Sequence, residues 1–120
     1  MSGGIAREIV VTDGWAFVNG VIGCDLDNPR VALAESIEAQ TRKLLGNLEA
    51  LLARGGMSRH DVVSVRLSIT QYERFFERMD KAYAGFFSAD RPPARSVVGV
   101  SHLTRGALVE MDAVARKGVS

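Results

Sequence analysis

Two residues toward the end of the chain combine the side-chain types needed to hold a small acid and to attack it: Arg95 and Glu110. The guanidinium of an arginine is a planar fork that matches a carboxylate through two parallel hydrogen bonds. A nearby glutamate can serve as its counter-ion, or it can orient a water molecule as a general base. A carboxylate ligand on the arginine would set its neighbouring carbon beside the glutamate and its water. That arrangement points to hydrolysis at a carbon next to a carboxylate, and the residues leave open which bond is broken.

The elements that carry the pair read as strands. Pro93 to Val100 and Ala107 to Val114 both alternate with period two, the pattern of strands with one covered face. With Ser101 to Gly106 as the turn of a hairpin, Arg95 falls opposite Glu110 and Val97 opposite Leu108. Directly opposed residues have Cβ atoms about 5 Å apart, so the arginine and the carboxylate would share one site. In this register Ser96, Val98, Val100, Ala107, Val109, Met111 and Ala113 form the core face, and Arg95, Val97, Glu110 and Asp112 the other. An exposed cross-strand ion pair contributes only about 0–1 kcal/mol and would carry no function. Val97 and Leu108, however, give this face an apolar content suited to meeting another subunit.

Upstream, Ile5 to Val11 and Trp15 to Val18 are β-rich runs joined by Thr12-Asp13-Gly14, a hairpin turn signal. Gly20 and Gly23 mark a bulge or a close backbone approach, and Asp25 to Arg30 is a polar loop. Ala34 to Arg54 places Ile37, Leu44, Leu45, Leu48, Leu51 and Leu52 on one stripe of a helix stopped by Gly55-Gly56. Val63 to Ile69 alternates as a third strand. Thr70 and Glu73 have capping-box spacing and open a second helix, whose stripe from Tyr72 to Phe87 reads as core. The order ββαβαββ implies an α+β domain with two helices on one face of a mixed sheet, a single domain over residues 1–120. The uncovered face calls for self-association.

Composition narrows the function. Fifteen Lys and Arg against 14 Asp and Glu give a net charge of +1, no electrostatic case for nucleic acid or anionic membranes. Cys24 is the single cysteine, Met1-Ser2-Gly3-Gly4 has none of the features of a secretory signal, and no apolar run reaches membrane-spanning length. The expectation is a soluble, cytoplasmic protein. His60 and His102 are isolated and, with Cys24, lack the spacing of metal ligands; no phosphate-cradling glycine loop and no nucleophile elbow is present. No metal and no cofactor is expected.

Trp15 to Gly20, Ala50 to Gly56, Asp61 to Val63, Tyr83-Ala84-Gly85-Phe86-Phe87, Pro93-Ala94-Arg95-Ser96 and Val109 to Ala115 together resemble the Rid family of enamine/imine deaminases, also described as endoribonuclease L-PSP. The last two blocks and their separation are the specific ones. The resemblance implies a chorismate-mutase-like fold, a homotrimer with sites in the clefts between subunits, and release of ammonia and a 2-oxo acid from 2-iminopropanoate or 2-iminobutanoate. It casts Arg95 as the carboxylate clamp and Glu110 as the residue that positions the attacking water. Three substrate-binding positions depart from the family's common residues: Val97 stands where cysteine is frequent, Asp80 where asparagine is common, and Asn19 where serine is usual. The family's N-terminal extension with its substrate-contacting tyrosine is expected to be missing. These departures keep two alternatives open: a deaminase for another imine, such as an aminomuconate-like compound, and a non-catalytic trimer that binds small carboxylates in a regulatory role. Ribonuclease activity rests on the inherited name alone, since no phosphate-binding patch and no histidine pair supports it.

Overall fold

A computed structural model describes residues 8–118. The expected start of the first strand at Ile5 lies outside the described residues. Strand β1 (Ile9–Thr12) pairs antiparallel with β2 (Trp15–Ile22) through Asp13 and Gly14, at φ 50° and 81°. Positive φ at both positions is what a two-residue hairpin turn requires, and an Asp-Gly pair tolerates it. Helix α1 (Ile37–Arg54) follows, then β3 (Val62–Thr70), helix α2 (Tyr72–Tyr83), β4 (Ala94–Val100) and β5 (Val109–Arg116). The sheet order is β1-β2-β5-β3-β4.

This order corrects the expected terminal hairpin. β4 pairs parallel with β3, and β5 lies between β2 and β3, antiparallel to both. Residues 101–108 therefore cross over β3 rather than turn back onto β4. The connections β2-α1-β3 and β3-α2-β4 both link parallel strands and both advance the same way across the sheet. Crossovers share one hand, so both helices land on the same face.

The α1 stripe buries Ile37, Leu44, Leu48, Leu51 and Leu52 almost completely, against Val18, Leu67, Met111 and Ala113. Each such side chain contributes roughly 1.5–3 kcal/mol on leaving water. Ser36 caps α1, its hydroxyl accepting from the Ala39 N–H at 3.1 Å. The α2 stripe is shallower than expected: only Phe75 and Met79 are buried, Tyr72 is exposed, and Phe86 and Phe87 lie beyond the helix. The capping box at Thr70 does not form either. Gln71 takes the N-cap position at φ 47° with no side-chain bond, and the buried Thr70 hydroxyl has no partner. Thr70 is the last residue of β3, paired with Val100, and the sheet claims it before the helix can.

Two polar side chains tie α1 to the loops that begin and end strands. Asn47 donates to the Ile22 and Cys24 carbonyls, at 2.9 and 2.7 Å. Gln40 accepts from the Leu108 N–H at 2.8 Å, one residue before β5 begins. Gly23 passes so close to α1 that a Cβ there would sit 2.5 Å from the Gln40 carbonyl oxygen.

Candidate functional site

The parallel pairing of β4 decides where Arg95 points. Arg95 is in register with Val65, and Val97 with Leu67, both of which are core residues on the helix side of the sheet. Arg95 and Val97 therefore face the helices, and Ser96, Val98 and Val100 face away, the reverse of the expected parity. β5 behaves as expected: Val109, Met111, Ala113 and Ala115 are buried, while Glu110 and Asp112 project from the open face. Within one chain, then, Arg95 and Glu110 neither oppose each other nor share a face. β3 separates their strands, with Arg95 beside Val65 and Glu110 beside Ser68.

The Arg95 half is built by β4 and α2. The Nη1 of Arg95 donates to Oδ1 of Asp80 at 2.6 Å, and the guanidinium lies 4.8 Å from the centre of the Tyr83 ring. Asp80 and Tyr83 are three residues apart on α2, the spacing that puts two side chains on one side of a helix. That spacing is the signal in the sequence that could have drawn Tyr83 into the candidate site. Burial pushes the Tyr83 hydroxyl upward, against the lowering effect of the Arg95 charge and with a smaller upward push from Asp80. Val97 lies two residues further along the same face, half-buried against the core.

The Glu110 half is built by the bulge in β2. The register of β2 with β5 shifts between Val18 and Val21, and Gly20 adopts φ +73°. The freed Gly20 N–H donates to Asp112 Oδ1 at 2.8 Å, and a Cβ on Gly20 would lie 3.7 Å from Glu110 Oε2. Asn19 sits on this bulge, exposed, so it belongs with Glu110 and not with Arg95. Partial burial raises the Glu110 carboxyl above its ordinary range, and the Asp112 charge adds to the rise. A carboxylate held this way is a better base than a fully solvated one, because its proton affinity moves toward neutral pH. Trp15, Phe17 and Val114 lie on the same open face, Phe17 being 42% exposed.

Other polar residues have structural company. His102 Nδ1 lies 3.3 Å from the Ser101 hydroxyl, and His60 sits in the short 3-10 turn Arg59–Asp61 before β3. Among the described residues no group of three or more His, Cys, Asp or Glu side chains is gathered as a metal site would be. None of the described helices is long and apolar enough to cross a membrane.

Comparisons with known proteins agree with this architecture. The sequence profile described as "Endoribonuclease L-PSP" matches residues 6–117. A RutC family protein of Aquifex aeolicus is 32% identical over 111 residues, 92% of this chain and 86% of that protein. A RutC family protein of Pyrococcus abyssi is 31% identical, over 92% of this chain and 84% of the relative. Among solved structures, a Thermotoga maritima protein described as a candidate endoribonuclease superposes with a TM-score of 0.87 at 35% identity, covering 97% of this chain and 89% of that one. YyfA of Yersinia pestis, described as a member of the Rid protein family and of unknown function, gives 0.86 at 32% identity over 96% and 90% of the two chains.

Proposed function

The chain belongs to the Rid family, also described as endoribonuclease L-PSP, and from that premise we propose that it is a hydrolytic deaminase of small imine or enamine carboxylic acids. The substrates of the resemblance, 2-iminopropanoate and 2-iminobutanoate, are the first to try. One observation carries the reading: Arg95 and Glu110 lie on opposite faces of one sheet. A site that uses both must be made by two copies, with Arg95 at the rim of one and Glu110 on the open face of the next. A cyclic homotrimer repeats that junction three times and covers the open face that carries Trp15, Phe17 and Val114. A cytoplasmic location belongs to the same proposal.

In such a cleft, Arg95 holds the substrate carboxylate and so fixes the imine carbon. Glu110 takes a proton from a water molecule while the water oxygen adds to that carbon, giving a carbinolamine. The proton then passes to the nitrogen, the C–N bond breaks, and the carbinol hydroxyl gives its proton to the departing ammonia, leaving a 2-oxo acid and ammonium. No electrons are exchanged and no co-reactant besides water is consumed.

Complementation tests the shared site. Alone, Arg95→Ala chains are expected to be inactive and Glu110→Gln chains to be slowed roughly 10²–10⁴-fold, assayed by 2-oxo acid release from imines generated in situ. Mixed by co-refolding, they form junctions in which an intact Arg95 meets an intact Glu110, and activity returns. Failure of activity to return in proven mixed oligomers would falsify the two-copy site. The non-catalytic reading draws on one specific feature, the Asp80 carboxylate already seated on Arg95. Under that reading wild-type protein binds 2-oxo acids and releases none from imines.

A further inference from the structure

The Arg95 half-site carries two charges, and catalysis as described uses one. Asp80 engages the guanidinium through a single contact, Nη1 to Oδ1 at 2.6 Å, which leaves Oδ2 and most of the guanidinium's five N–H donors for something else. Neither group is sealed away: the side chains are 28% exposed for Arg95 and 43% for Asp80. The guanidinium also lies over the Tyr83 ring, 4.8 Å from its centre. The unit is therefore a fixed pair of opposite charges facing solvent with net charge zero.

Such a pair discriminates sharply among small acids. A simple anion is drawn by Arg95 and repelled by Asp80 at nearly the same distance. A molecule with a cationic nitrogen one carbon from its carboxylate satisfies both, carboxylate on the guanidinium and N–H on Asp80. We propose that Asp80 is the residue that sets specificity at this site, selecting zwitterionic 2-iminium and 2-amino acids over the anions that lack the cationic nitrogen. The proposal rests on the reading of Arg95 as a carboxylate clamp. It adds a direction to the reaction. The protonated iminium acid enters as a zwitterion, water adds, and the nitrogen departs as ammonium with the positive charge. The remaining 2-oxo acid is an anion opposed by Asp80, so product is bound more weakly than substrate.

Calorimetric or NMR titration of the full chain with L-alanine and pyruvate isolates the effect, since the two differ at the nitrogen-bearing carbon. The wild type is expected to bind alanine ~10-fold more tightly than pyruvate, the size of one well-placed charge interaction. Asp80→Asn retains an oxygen for Arg95 but loses the charge, so pyruvate should tighten and alanine weaken until the preference disappears. A preference unchanged in Asp80→Asn, with both ligands lost in Arg95→Ala, overturns the proposal and leaves the clamp standing. Equal weakening of both ligands in Asp80→Asn reduces Asp80 to orienting Arg95 and also overturns it. If Arg95→Ala alters neither ligand, the clamp itself is wrong, and that failure is distinct.

Discussion

The two halves of the candidate site are finished to different degrees. Around Arg95, one chain supplies a counter-ion in Asp80, hydrogen-bonded to it, and the Tyr83 ring beneath it, so the guanidinium has partners before anything binds. Around Glu110, the chain supplies a frame and little else: a bulge, the Gly20–Asp112 hydrogen bond, and a carboxyl whose charge is disfavoured by burial and by Asp112. A recognition element can be completed locally because it only has to hold a ligand. A base must stay uncommitted until substrate and water arrive, since a tight counter-ion would lower its proton affinity and blunt it.

The strongest way to break this contrast is at the finished half. Arg95→Ala should take imine turnover to background while circular dichroism remains that of the wild type. Arg95→Lys should restore only part, because an ammonium lacks the bidentate fork. Wild-type rates in Arg95→Ala would remove recognition from that half altogether.

At the unfinished half, Glu110→Gln should lower turnover by roughly 10²–10⁴-fold, the usual contribution of general acid–base assistance, with less effect on ligand affinity. The pH profile sharpens the point. A general base must be ionised to act, and the Glu110 pKa is raised, so with Glu110 in that role the acid limb of turnover should lie above the ordinary glutamate value of 4.5. That limb should vanish in the residual activity of Glu110→Gln. Acid unfolding is a separate matter: Arg78, through its hydrogen bonds, lowers the Glu38 carboxyl to about 2. This link between α1 and α2 is fully present above about 4.5 and is lost as pH falls through about 2, so activity should fail first on acidification.

Two glycines separate the halves by stability. Gly23→Ala forces a Cβ to 2.5 Å from a backbone oxygen of α1, beside the frame that carries Glu110. Overpacking of that kind costs about 1–3 kcal/mol, readable in urea denaturation. Gly99→Ala meets the Tyr72 Cβ at 3.1 Å, a milder approach at the start of α2, and should cost less, about 1 kcal/mol. A reversed ranking would mean that the Arg95 half is the more rigidly packed.

How much of this was legible in the sequence follows the range of the interactions. The Asp13-Gly14 turn, the α1 stripe, the Gly20 bulge and the parity of β5 are written in neighbouring residues, and each reads correctly. The parity of β4 is not. Val97, Val98 and Val100 put apolar residues on both faces, all three are half-buried, and only the distant pairing with β3 decides between them. The capping box failed because Thr70 is claimed by the sheet. Arg95 is legible from its residue type and Asp80 only through the family resemblance, and their contact depends on α2 packing beside β4, which the sequence does not display.

The position of β5 has a consequence for how the molecule is made. It is the last strand in chain order and the middle strand of the sheet, so β1-β2 on one side and β3-β4 on the other have no edge to share until it arrives. On the ribosome, the β1-β2 hairpin and the parallel β3-β4 pair would wait with their inner edges unpaired while the rest of the chain is synthesised. Such edges are the surfaces through which nascent chains pair with the wrong partner. Truncation just before Val109 would therefore not trim the protein at its margin; it would split the sheet down its centre into two unjoined ribbons.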